Sequence, residues 1–229
     1  MYIDPYYLLL VIPAFILSLI AQIMVKSTYK KMSREMNARN ISGAAAAAAV
    51  LRYYGISDVR IEATGGKLTD HYDPRTNVIR LSQGVYGSCS VAAVGIACHE
   101  AGHAAQHAQN YSPVKVRNAI LPVCKIGSYA GIPLALIGYY LAVEPLILIG
   151  LALYSAIAIF QLVTLPVEFN ASSRALAVIN DTGLLGDEER AKAARVLRAA
   201  AMTYVASLAV TLANLLRFIM IFLGGRRRR

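Results

Sequence analysis

The chain has 229 residues, 57% of them hydrophobic and 16% charged, with 23 lysines and arginines against 13 acidic residues for a net charge of +10. Soluble domains carry about 25% charged residues, so this composition, with a mean hydropathy of +0.49, excludes a disordered chain, a collagen-like repeat and a small disulfide scaffold, and calls for lipid as well as water around the protein. In so apolar a chain the basic excess is matched to anionic lipid headgroups and not to nucleic acid.

Leu8 to Val25 is an apolar run interrupted only by Pro13, Ser18 and Gln22, close to the length that crosses a hydrocarbon core. No basic residue precedes it, as one would in a cleaved signal peptide, while Lys26, Lys30, Lys31, Arg34 and Arg39 follow it. Residues 1–25 are therefore expected to be an N-terminal transmembrane anchor running from outside to inside.

Residues 26–118 form the polar part. Ile41 to Tyr54 reads as an alanine-rich helix closed by Gly55, and Val59 to Ala63 as a strand. Leu68 to Tyr72 and Asn77 to Leu81 flank Asp73-Pro74-Arg75-Thr76, a type I turn sequence, which predicts a hairpin. Ser90 to Gln109 reads as a helix with a serine cap, and its Ala, Gly and Val interior suits close packing.

Ala119 to Leu141 and Leu146 to Val163 predict a transmembrane hairpin over residues 119–165, turning at Glu144-Pro145. Pro166 then opens a charged helical part, residues 166–203, on the side the chain had left. Residues 204–229 comprise a last apolar run, Tyr204 to Leu223, broken by Arg217 and followed by Arg226 to Arg229. Four complete spans would put that tetra-arginine outside, against the positive-inside rule, whereas a half-helix would keep it inside. The three cysteines, Cys89, Cys98 and Cys124, lack metal-site spacing and read as free thiols.

His99-Glu100-Ala101-Gly102-His103 places two imidazoles four residues apart on one face of the Ser90 to Gln109 helix, where both can hold one zinc. Glu100, beside that face, can then take a proton from a water activated by the metal and pass it to a leaving amine. A third ligand is needed. His107 lies on the same face but about 12 Å from His99 along the helix, too far to share an ion with it, and reads as a supporting residue. Glu168, in Leu165-Pro166-Val167-Glu168-Phe169, is the best candidate because an idle carboxylate in an apolar setting is costly. Its competing reading is a helix-N-terminal glutamate after Pro166. Glu144 and Asp181 are weaker candidates.

The strings Lys67 to Thr76, His99 to His107 and Leu162 to Phe169 together resemble the YugP-like family of bacterial membrane-bound neutral zinc metallopeptidases, over nearly the whole chain. The order of motif, hairpin and glutamate is also similar to the HtpX-type quality-control proteases and the CAAX prenyl proteases. The resemblance implies a mainly α, membrane-embedded fold with a zincin-like core, a small β-hairpin or sheet and about four hydrophobic helices. It implies one zinc per chain held by His99, His103 and Glu168, with Glu100 as general base. The substrate would be a peptide or protein, with membrane proteins among the candidates, and the site would lie at the cytoplasmic face of a bacterial cell membrane. The HtpX-type and CAAX relatives carry an acid four residues after the ligand glutamate, where this chain has Ser172, with Asn170 nearby; the support of the zinc ligands is thus expected to be weaker or differently built. Arg174 is either a partner for Glu100, Glu168 or a substrate carbonyl or a plain surface arginine, and His71 either nears the site or only precedes the turn. The resemblance to zincins also implies an exposed strand that pairs with an extended peptide, and Asn77 to Leu81 is either that strand or part of a hairpin that only stabilises the domain. The alternative function is a catalytically silent zinc-binding membrane scaffold or adaptor, against which Glu100 argues, because a purely structural zinc needs no base.

Overall fold

The computed structural model describes residues 4–224; the Arg226 to Arg229 tail lies outside the described residues. The chain is mainly helical with one three-stranded sheet. It divides into two compact units, one made of residues 1–22, 115–166 and 202–229, the other of residues 23–114 and 167–201.

The first unit is built from helices long and apolar enough to cross a membrane. They belong to α1 (Ile12–Met32, entered through a π-helical stretch Tyr7–Val11), α5 (Ser112–Tyr140), α6 (Glu144–Asp181) and α7 (Asp187–Gly224). Helices α5 and α6 meet along a seam of small residues. A Cβ on Gly131 would come within 2.9 Å of the Tyr154 amide nitrogen, and one on Gly150 within 2.5 Å of that of Ala135. Glycine at such positions lets two backbones touch where no hydrophobic effect drives them together. Phe222 packs with Ala135, Ile147 and Leu151, so the end of α7 lies beside the α5–α6 turn. Arg217 binds Asp4 at 2.7 Å and lies over the rings of Tyr7 and Phe218, which puts the start of the first helix at that same end. Within the described residues the last apolar run is unbroken, since α7 is continuous from Asp187 to Gly224.

Pro166 does not open a helix. It lies inside the 38-residue α6, because a long helix gives up the one hydrogen bond that proline cannot make while its neighbours carry the rest. Glu168 is therefore a mid-helix residue and owes nothing to a helix N-terminus. Asp181 is the last residue of α6 and accepts a hydrogen bond from the Tyr53 hydroxyl at 2.8 Å.

In the second unit, α2 (Gly43–Tyr53) begins on Ser42, whose side chain accepts from the Ala45 amide. It ends with Gly55 at φ 67, the Ile56 amide reaching Leu51 O and the Gly55 amide reaching Arg52 O, the two bonds of a Schellman closure. The sheet comprises β1 (Arg60–Thr64), β2 (His71–Asp73) and β3 (Val78–Ser82) in the order β1-β3-β2. The expected hairpin forms: Asp73 pairs with Val78, and Asp73 Oδ1 accepts from the Arg75 amide at 3.0 Å. The Thr76 hydroxyl, the Arg75 amide and Arg80 hold the Asp73 carboxyl well below the usual carboxylate range. β2 is shorter than expected, since Leu68 sits at φ 57, outside any strand. The Asn77 to Leu81 segment cannot be an open edge. β3 pairs with β1 in parallel and with β2 antiparallel, so both of its edges are occupied and the free edges belong to β1 and β2.

Between the sheet and the later helices come the short α3 (Gln83–Tyr86) and α4 (Val91–Ala108). The Ser90 side chain caps α4 by accepting from the Ala93 amide, and Asn110 at φ 55 closes it. Ala46, Ala47 and Val50 of α2 pack with Val94, Ala97, Cys98 and Ala101 of α4, the Ile79 and Leu81 side chains of β3, and Ala175, Val178 and Ile179 of α6. The three cysteines are free, with Cys98 buried and Cys89 and Cys124 half-buried.

Candidate metal centre

α4 turns one face, His99, Gly102, His103 and Gln106, toward α6, which presents Val167, Glu168, Ala171 and Ser172. Helical periodicity puts each set on a single stripe. Gly102 makes the approach possible, because a Cβ there would lie 2.7 Å from the Ala171 carbonyl oxygen. Immediately beside that contact, His99 Nε2 lies 3.4 Å and His103 Nε2 3.7 Å from the same oxygen, Glu168 Oε2. These separations exceed a good N–H···O hydrogen bond. They match the edge of about 3.4 Å expected between two ligand atoms each about 2.0–2.1 Å from a tetrahedral zinc. Among the described residues, His99, His103 and Glu168 are the group of ligand atoms, all within 4.8 Å of one another, that could hold a metal ion. Two imidazoles and one carboxylate suit zinc and leave a fourth position for water or substrate.

Each imidazole is oriented from behind by a neutral group. His99 Nδ1 lies 3.1 Å from Ser172 Oγ, and His103 Nδ1 lies 3.0 Å from Gln106 Oε1. Ser172, where an acid would give stronger support, thus backs His99 through its hydroxyl. Asn170 does not reach a histidine; its Oδ1 accepts from Gln106 Nε2 at 3.0 Å and from Arg174 Nε at 2.7 Å. Arg174 pairs with neither Glu100 nor Glu168. It also donates to Gln109 Oε1 at 2.6 Å and lies over the rings of Tyr54 and Tyr111, because neutral acceptors and aromatic faces surround it. Gln106 and Tyr72 are the residues that sequence reasoning missed. Gln106 carried a faint signal, a polar side chain one turn beyond His103 on a helix face otherwise made of histidine and glycine.

Glu100 is buried, and its Oε2 accepts from the Tyr72 amide of β2 at 3.1 Å. The Tyr72 ring is anchored in turn. Its hydroxyl donates to Asn77 Oδ1 at 2.7 Å and lies 3.0 Å from His107 Nδ1. Burial first, then the charges of Asp58 and Asp73, push the Tyr72 hydroxyl up to about 12. It remains a phenol at neutral pH, so its oxygen accepts from His107 and its proton goes to Asn77. His107 is exposed and supports the site through Tyr72. His71 is exposed in β2 and bonds the Thr69 carbonyl at 2.8 Å within its own loop.

Burial pulls the His103 pKa down, but the nearby carboxylates of Glu168 and Glu100 outweigh it, and the net shift is upward from 6.5. A metal must displace that proton. Below the raised pKa the imidazole holds its proton and zinc competes against it, so affinity is expected to fall by at least about tenfold per pH unit, and to level off only at higher pH. Competition titrations with a chelator between about pH 6 and pH 8 check this, and a flat profile would contradict it.

These features fit zinc proteases, and the comparison with known proteins agrees. The chain belongs to the family described as "Putative neutral zinc metallopeptidase", which matches residues 7–223. It is 45% identical to "Putative membrane protease YugP" of Bacillus subtilis (strain 168), over 96% of this chain and 98% of that protein. No solved structure matches it. With helices in α1, α5, α6 and α7 long and apolar enough to cross a bilayer, it is an integral membrane protein.

Proposed function

We propose that the protein is a membrane-bound zinc metalloendopeptidase, with His99, His103 and Glu168 as ligands of one zinc per chain and Glu100 as general base. The observation that carries this reading is Glu100 itself, lying between the ligand histidines in sequence and held at Oε2 by the Tyr72 amide. A site whose metal only fixed the fold would need no such carboxylate.

When bound, zinc supplies Lewis acidity toward water and toward the oxygen of a scissile carbonyl. The protein's own groups do the rest. With Oε2 held by β2, Glu100 Oε1 takes a proton from the attacking water as its oxygen adds to the carbonyl carbon. The same oxygen then delivers that proton to the nitrogen as the C–N bond breaks, giving an acid and an amine. Ser172 and Gln106 keep the two imidazoles aimed while this occurs. The substrate is a peptide or protein, with unfolded membrane proteins the class that a quality-control role would supply. The basic residues following the first apolar run, Lys26, Lys30, Lys31 and Arg34, favour anionic lipid and a site on the cytoplasmic face.

The test is cleavage of casein by the detergent-purified, zinc-loaded chain. Cleavage is expected, to be lost with a chelator and restored by zinc, and Glu100→Gln is expected to retain zinc while losing at least about 100-fold in rate, the scale of a general acid–base contribution. Zinc binding with no cleavage of casein or of unfolded membrane proteins would instead favour a silent scaffold.

A further inference from the structure

Gln106 is 0% exposed, and a buried amide is tolerated only when its donors and acceptor find partners. Its Nε2 donates to the Val167 carbonyl at 2.8 Å and to Asn170 Oδ1 at 3.0 Å, while Oε1 lies 3.0 Å from His103 Nδ1. A backbone carbonyl can only accept, so the amide nitrogen must face Val167 and the oxygen must face the imidazole. That oxygen requires the proton to sit on His103 Nδ1. The lone pair is then on Nε2, the atom that faces Glu168.

We propose that Gln106 is a positioning residue joining the two halves of the metal site: from one buried side chain it selects the His103 tautomer on α4 and fixes the Val167–Glu168 segment of α6. The proposal rests on the reading of His99, His103 and Glu168 as zinc ligands. Imidazole ligands are commonly backed by a carboxylate, but a carboxylate here would set its oxygens against the Val167 carbonyl and Asn170 Oδ1, acceptor against acceptor. Only an amide offers an acceptor to the ring and donors to α6 at once. Asn170 is itself held by Arg174 Nε at 2.7 Å, which keeps its oxygen turned toward Gln106.

The experiment measures zinc affinity of the detergent-solubilised full-length chain by competition with a chromophoric chelator, and uses the visible bands of bound cobalt(II) as a probe of coordination geometry. Gln106→Met keeps the volume and removes every hydrogen bond. Its zinc affinity is expected to fall about 10–100-fold, with an altered cobalt spectrum and unchanged helical content. Gln106→Glu is expected to weaken binding as well, whereas a purely electrostatic support of His103 would make it bind more tightly. Wild-type affinity with a wild-type cobalt spectrum in Gln106→Met overturns the proposal. If that variant does not fold, Gln106→Glu decides, and an affinity equal to or above wild type overturns it. None of these readouts needs turnover. A wild-type chain that holds zinc but cleaves nothing would therefore defeat the protease reading and leave this one standing, while an active enzyme indifferent to Gln106 would do the reverse.

Discussion

Glu168→Ala is expected to lose its zinc on dialysis while keeping its helical content. The Glu168 carboxylate is the proposed ligand that comes from outside α4, and a single oxygen of it stands 3.4 and 3.7 Å from the two imidazole nitrogens. Without it the remaining histidines lie one turn apart on one helix and grip a metal from one side only. Loss of an outer supporting group costs about 10–100-fold in affinity, and loss of a ligand should exceed that range. Metal content per chain, read beside circular dichroism, checks the outcome. One equivalent of zinc held at wild-type affinity would mean that the third ligand lies elsewhere.

Gly102→Ala is the second large effect, and its sign runs against intuition. In an exposed helix this change stabilises by up to about 1 kcal/mol. At position 102 the new methyl carbon would lie 2.7 Å from the Ala171 carbonyl oxygen and 3.3 Å from its carbonyl carbon. Those are backbone atoms of α6, so relief requires the helices to part. Overpacking of this kind costs about 1–3 kcal/mol, and the displacement falls next to His103 and three residues from Glu168, where the proposed ligand set spans the two helices. Zinc affinity is expected to drop by about tenfold or more, equivalent to 1.4 kcal/mol or more, with a lower melting temperature. A more stable variant that binds zinc normally would show that the close approach is dispensable.

Where local rules decide the structure, the sequence was a good guide. Ser90 caps a helix, Gly55 ends one, and Asp73 to Thr76 turns a hairpin, because each depends on a few adjacent residues. That His99, His103 and Glu168 come together was also legible, since two histidines four apart must share a helical face and a carboxylate in apolar surroundings needs partners. What the sequence hid depends on long-range partners. Pro166 looked like a helix start because nothing local tells a tolerated proline from a terminating one. β3 became the central strand because β1, nearly twenty residues earlier, pairs with its other edge. The roles of Gln106, Ser172 and Tyr72 depend on atoms brought to them by other elements, and no pattern within their own segments discloses that.

The ion pair between Asp4 and Arg217 joins positions 213 residues apart in the chain. At synthesis rates of about 5–20 residues per second, Asp4 waits roughly 10–40 seconds for its partner to leave the ribosome. An arginine within an apolar helix is costly to insert without a counter-charge, and here that counter-charge is already in place when α7 arrives. The first helix thus supplies the counter-charge for the last, and a chain cut short before Arg217 would keep the Tyr7 amide on Asp4 but lack the guanidinium that answers its charge.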